Sequence, residues 1–232
     1  METPSQIVAK VFPGIVAHIP QTLLYWFLPS VLALFLGALL CWARVSSRRN
    51  PLYWICTVSI SFFRGTPGIV QIYIVFFGLP KLIWAIGYDV SDWTAGVYFI
   101  IATTLNLSCF MAETLRGGYL ALDRGQVEAG LSIGFNRAQN FIHVIAPQTL
   151  KVALLNIKNL EIDMLKDTSV AYTIGAVEIM GYANRMISLR SGVGQLWILG
   201  TAAVVYFVMC AVLEVVFNLA TRRISRYEEA AR

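Results

Sequence analysis

Three stretches without a single Asp, Glu, Lys or Arg constrain this chain most: Val11 to Ala43, Trp93 to Ala112 and Ser191 to Leu213. The hydrocarbon core of a bilayer is about 30 Å thick, and roughly 20 apolar residues of helix cross it. Each stretch is long enough. Helix is the expected spanning form, because a backbone in lipid must satisfy its own hydrogen bonds, and the alternation of a membrane β-barrel is absent. Composition agrees: of 232 residues, 57% are apolar and 13% charged, against roughly half and a quarter in an average soluble domain. A disordered chain, a secreted disulfide scaffold and a soluble globular domain are excluded.

The net charge of +5 lies between and beyond the apolar stretches. It reads as membrane topology, not as a nucleic acid site. Cys41, Cys56, Cys109 and Cys210 fall in or near apolar segments and form no CxxC pair. They read as small core residues rather than a disulfide or metal framework. The N-terminal METPSQIVAK has Glu2 and a single Lys10. That is a poor signal-peptide start, so the first apolar stretch is expected to stay in the mature protein.

Five spans are predicted: Gln21 to Trp42; a second within Pro51 to Leu79, interrupted at Arg64-Gly65-Thr66-Pro67; Trp93 to about Glu113; a polar fourth within Val152 to Met180; and Gly194 to Asn218. Ile7 to Ile19, with Pro13, Gly14 and His18, is expected to lie along the membrane surface. Residues 1–232 read as a single membrane domain, without internal repeat. With the N-terminus outside, the inner segments hold Arg44, Arg48, Arg49, Arg116, Arg124, Arg137, Lys151, Arg222, Arg223, Arg226 and Arg232. The outer ones hold Lys10, Lys81, Arg185 and Arg190. The positive-inside rule therefore predicts a cytoplasmic C-terminus. Tyr53, Trp54, Tyr88 and Trp93 are placed like interfacial anchors.

The inner loop at 123–147 reads as a short helix stopping near Gly134, then an amphipathic stretch running into Pro147. Val127, Leu131 and Phe135 recur at helical spacing, as do Ala138, Phe141 and Ile145. The loop is either packed under its own bundle or a dock for a soluble partner.

Glu128, Ala129 and Gly130, then Gly134, then Val144, Ala146 and Pro147 resemble the loop signature of ABC importer permeases: Glu-Ala-Ala, three residues, Gly, nine residues, Ile-x-Leu-Pro. Gly130, Val144 and Ala146 depart from it. Phe63-Arg64-Gly65-Thr66-Pro67-Gly68-Ile69-Val70-Gln71, running to Pro80, resembles the helix-two motif of polar amino acid permeases. Ala112 to Gly118 resembles that family's helix-three end, and Asn159 with Lys166-Asp167-Thr168-Ser169 its helix-four motif, with Glu178 following. The matches cover about residues 61–178, in order.

The resemblance implies an all-α, type I ABC importer permease with an outside N-terminus and a cytoplasmic C-terminus, in the bacterial cytoplasmic membrane. It implies a homo- or heterodimer of permeases and a pair of ATP-binding cassette ATPases, which hold the ATP and Mg. It also implies an extracytoplasmic amino acid binding protein. The loop would then be a lever, with Glu128, Ala129, Gly130, Gly134 and Pro147 as its coupling residues, carrying ATPase closure into the spans.

An ionisable residue inside a span costs roughly 2.5 kcal/mol or more, which makes it a functional candidate. At 100° per residue, Asn159, Asp163 and Lys166 share one face of the fourth span, with Asp167 at its edge and Glu161 nearly opposite. Asp163 and Lys166 read as an internal ion pair, and the remaining acid as an acceptor for a substrate ammonium. Asp167 reads equally as a substrate-binding or gating residue and as a structural one. Leu160 stands where family members often carry Glu, which argues against a cationic side-chain pocket there.

Thr103, Asn106, Phe110 and Glu113 share a face of the third span, and Arg64, Gly68 and Gln71 a face of the second. Arg64 is expected near the inner interface or paired with an acid. Unwound helix is tolerated in a membrane where it lines a cavity. Thr66, Gly68, Gln71, Asn106, Ser108, Asp163 and Asp167 are therefore the candidate substrate pocket, although each alone also fits a helix-packing contact.

No GxxxxGK[ST] loop, HExxH or nucleophile elbow is present, and His18 and His143 are the only histidines. The chain reads as a non-enzymatic, cofactor-free permease subunit. The alternatives are a stand-alone ion-coupled amino acid carrier and a non-transporting membrane scaffold.

Overall fold

Small residues on two long helices build the centre. The computed structural model describes residues 3–45 and 49–229, with side chains as far as Arg222. Glu2, Arg48 and Arg232, used in the charge reading, lie outside the described residues. All described regular structure is helical: α1 (Pro4–Ala17), α2 (Ile19–Val45), α3 (Pro51–Gly65), α4 (Gly68–Ala85), α5 (Ala95–Leu120), α6 (Arg124–Ser132), α7 (Arg137–Asn140), a π-helical turn (Phe141–Ile145), α8 (Ala146–Asp167), a 3-10 segment (Thr168–Ile174), α9 (Ile179–Leu189) and α10 (Gln195–Glu229).

Helix α5 is the axis. Helix α2 packs along it, and α3, α4 and α8 lie against its other sides. Ser30, Ala33, Gly37 and Cys41 of α2 and Ala102, Ser108, Met111 and Ala112 of α5 are buried. Lipid supplies no hydrophobic drive between helices, so such close contact between small side chains is the attraction available. Phe35 of α2, Phe77 of α4 and Phe207 of α10 stand on the outer surface. Apolar side chains facing outward suit lipid as the solvent.

Four stretches among the described residues are long and apolar enough to cross a membrane: Pro4–Val45, Gly68–Ala85, Ala95–Leu120 and Gln195–Arg222. The first joins α1 to α2, with Pro20 in the opening turn of α2. The polar fourth span expected from the sequence forms as α8 but is not among these four. The expected interruption falls at Thr66 and Pro67, where α3 ends and α4 starts. The N-terminal segment, expected along the membrane surface, packs into the bundle: Ile7, Val11 and Ile15 of α1 are buried with Ile179 and Ala183 of α9 and Ile198 and Ala202 of α10.

Candidate functional site

The break between α3 and α4 opens the site. Thr66 has φ −116° and ψ 147°, and Pro67 follows at φ −61° and ψ 135°. Two extended residues between α3 and α4 release carbonyls from the helical ladder, and a buried carbonyl needs a donor. Gln71 provides it. Its Nε2 lies 2.8 Å from Phe63 O, 3.0 Å from Thr66 O and 2.7 Å from Thr66 Oγ1. Asn106 Nδ2 of α5 donates to Gln71 Oε1 at 2.8 Å. The broken helix is thus tied to α5 at the level of Asn106.

Beside this tie lies a cavity of about 240 Å³, lined by Thr66, Gly68, Asn106, Leu107, Phe110, Leu160, Asp163, Met164 and Asp167. A smaller recess of about 140 Å³ shares Gly68, Asn106, Met164 and Asp167 and adds Thr103. Both fall below the roughly 300 Å³ of drug-sized sites, which suits a small polar solute. The structure therefore gathers Thr66, Gly68, Asn106, Asp163 and Asp167 around one space. Gln71 is buried behind that space as a support. Ser108 lies apart: it is buried and donates to Leu105 O at 2.8 Å.

The acids stand on α8. Asn159, Asp163, Lys166 and Asp167 are exposed on its one face. Lys166 Nζ is 2.7 Å from Asp163 Oδ1, with the two side chains 55% and 64% exposed. This is the expected pair, but it lines an open face instead of being enclosed in the bundle. Glu161, on the opposite face, is buried and accepts from Ser30 Oγ of α2 at 2.5 Å. Trp26 Nε1 of α2 donates to the Glu161 carbonyl at 3.1 Å. Glu178 is also buried. It caps α9 by accepting from Gly181 N at 2.9 Å, and it accepts from Tyr206 Oη of α10.

Sequence reasoning named Glu161, Glu178 and Glu113 but did not reach the partners of the two buried acids, nor the arginine cluster around Glu113 of α5. Arg116 Nε and Nη2 donate to Glu113 Oε2 at 3.1 and 2.8 Å, and Arg44 Nη1 is 3.1 Å from Oε1. Arg64 Nη1 is 3.8 Å from Oε2, which meets the expected acid partner. A signal was present: Arg44, Arg64 and Arg116 flank a single helix-three acid, and an intramembrane acid demands cations.

The loop at 123–147 has the expected anatomy. Helix α6 ends in a Schellman arrangement, with Gly134 N donating to Leu131 O and Phe135 N to Gly130 O. Gly134 has φ 93°, where an L side chain is strained. Asn136 and Gln139 then form a capping box that starts α7. Pro147 lacks the N–H that would close the following turn. Just before it the chain is underwound, with Ala146 N donating to Phe141 O. Glu128 and Ala129 are exposed on α6, while Gly130 is buried. A Cβ on Gly130 would collide with the Asn140 side chain and stand 3.3 Å from Val144 Cγ2. Asn140 is itself buried and donates from Nδ2 to Val127 O at 2.9 Å. This contact explains why glycine stands where the importer signature has alanine. The loop also presents Leu131, Ile133, Phe141 and Ile142 outward.

Outward-facing apolar helices, a polar cavity at the break between α3 and α4 and an apolar-faced loop outside the bundle together define a membrane transport subunit. The chain belongs to the family of binding-protein-dependent transport system inner membrane components, matching it over residues 30–226. It is a permease subunit of the ABC importer type and a multi-pass protein of the bacterial inner membrane. The resemblance to amino acid permeases is borne out by its relatives. The chain is 34% identical to the L-cystine transport system permease protein TcyL of Bacillus subtilis (strain 168) over 215 residues, covering 92% of this chain and 88% of the relative. It is 28% identical to the arginine transport system permease protein ArtQ of the same organism, covering 91% and 93%. Among solved structures it superposes on a chain of an amino acid ABC transporter crystallised with histidines, with TM-score 0.82 and 27% identity, covering 96% and 100%. The fold is thus that of a type I importer permease.

Proposed function

We propose that this chain moves a polar amino acid across the membrane by alternating access, driven by a separate ATPase that docks on the 123–147 loop. One observation carries the reading: Thr66, Gly68 and Asn106 from the broken span and its neighbour face Asp163 and Asp167 across one small cavity. Hydroxyl, amide and carboxylate groups of this kind can take up the ammonium and polar groups of a zwitterion. Five spans, an outside N-terminus and a cytoplasmic C-terminus belong to the reading, with residues 1–232 acting as one domain. Its partners are a second permease, an ATPase pair and an extracytoplasmic binding protein. Glu128, Ala129, Gly130, Gly134 and Pro147 shape the docking loop, and its outward apolar side chains support a protein contact. ATP hydrolysis is assigned to the partner subunit.

Reconstitution tests this directly. The permease complex and its binding protein are placed in liposomes, and uptake of labelled L-cystine, L-arginine and L-histidine is followed with and without enclosed ATP. Uptake of at least one, abolished without ATP, is expected. Uptake that persists without ATP on a proton or sodium gradient would instead assign a stand-alone carrier.

A further inference from the structure

The polar face of α5 continues past the cavity. Thr103 and Asn106 border the recess, Phe110 lines the cavity one turn on, and Glu113 stands a turn beyond. Arg64 lies over the Phe110 ring, its guanidinium carbon 5.6 Å from the ring centroid, and is itself not among the residues that line the cavity. Three guanidinium groups share the one Glu113 carboxylate, yet they are not held alike. Arg44 and Arg116 lie at 3.1 and 2.8 Å from it with side chains 13% and 30% exposed. Arg64 is at 3.8 Å and 45% exposed. Arg64 is therefore the loosest and most open of the three. The cluster carries two positive charges in excess of its acid, in surroundings where charge is weakly screened.

We propose that Arg64 is a second binding station, taking the carboxylate of the amino acid after it passes Phe110, and that the Phe110 ring is the gate between the two stations. The proposal rests on the amino acid reading above. Asp163 and Asp167 in the cavity complement the ammonium group; a planar guanidinium complements a carboxylate bidentately. The gate follows from the cation–π contact. While Arg64 lies over the ring, the ring is held in the cavity wall. A carboxylate that engages Arg64 draws the guanidinium off the ring and frees it to swing. Glu113, fixed by Arg44 and Arg116, keeps Arg64 within reach without occupying it fully.

The test compares the wild-type complex with Arg64→Gln, Arg64→Lys and Phe110→Ala in liposomes, using whichever of L-cystine, L-arginine and L-histidine the wild type takes up. Arg64→Gln is expected to lower the maximal uptake rate at least tenfold and to leave the half-saturating concentration of loaded binding protein within twofold. ATP hydrolysis should persist, and Arg64→Lys should recover part of the rate. Phe110→Ala is expected to let preloaded amino acid leak out without ATP. Uptake by Arg64→Gln within twofold of wild type overturns the station, and no leak through Phe110→Ala overturns the gate. Equal loss of uptake and of co-purifying ATPase in both Arg64 variants makes Arg64 a structural pin. Phospholipid phosphate retained by the wild type but lost from Arg64→Gln assigns the charge to lipid. A wild type that takes up none of the three removes the amino acid reading itself, and the station with it.

Discussion

Gly130 shows how tightly one residue of the loop is specified. Its α-hydrogen faces Asn140, so Gly130→Ala drives a methyl group into a buried amide. Overpacking of this kind costs about 1–3 kcal/mol. Thermal unfolding of the purified complex should show that loss for Gly130→Ala, and the pair Gly130→Ala with Asn140→Ala should recover most of it. Additive losses in the double variant would sink the contact as the cause. Gly134 is constrained differently: nothing lies within 4 Å of a Cβ there, but φ is 93°. Gly134→Val is therefore expected to unravel the end of α6 and to reduce ATPase co-purification several-fold, while the spans keep their helicity by circular dichroism. In the cavity, Asp167→Asn removes a charge without changing size. It should reduce uptake at least fivefold while the ATPase still co-purifies in normal amount; equal loss of both would make Asp167 structural.

At the scale of elements, the break between α3 and α4 is held open by one side chain. Gln71→Leu leaves the carbonyls of Phe63 and Thr66 without that donor, at about 1–3 kcal/mol for each buried group. The variant is expected to lower the thermal midpoint of the complex and its uptake together, unlike Asp167→Asn. Pro67 and the two glycines beside it announced this break in the sequence, because local backbone chemistry is written in adjacent residues. The Schellman stop at Gly134 and the entry at Pro147 were legible for the same reason. The place of Ser108 was not. Its polarity put it with the pocket, but a serine can satisfy its hydroxyl on its own helix, as it does at Leu105. The partners of Glu161 and Glu178 escaped because Ser30, Thr22 and Tyr206 are far away in the chain. The same holds for α1, whose apolar face could have met lipid or helix and met α9 and α10.

For the whole molecule, the open face of α8 is the telling feature. Val152, Leu155, Asn156, Asn159, Asp163 and Lys166 fall on one face at helical spacing and are exposed in the single chain. Amides and charges of this kind are costly against lipid, so a second permease is expected to cover them. With the native cysteines replaced, Asn159→Cys should form a cross-linked permease pair in membranes with a short bifunctional reagent, and Phe207→Cys, on the outer surface of α10, should not. Cross-linking from Phe207 alone would place the pairing face elsewhere. Overall class, membrane location and loop anatomy were legible in charge-free stretches and short motifs; the gathering of acids at the cavity and of three arginines on Glu113 required the three-dimensional fold.

The Gly130–Asn140 contact also bears on attempts to rewire this transporter. A 123–147 loop borrowed from a relative with Glu-Ala-Ala brings an alanine to position 130. If the graft ends before residue 140, that alanine meets an asparagine it was never matched with. Functional chimaeras should therefore exchange 123–147 as one cassette, and a graft stopping at Gly134 should assemble poorly even when every residue proposed to dock the ATPase is correct.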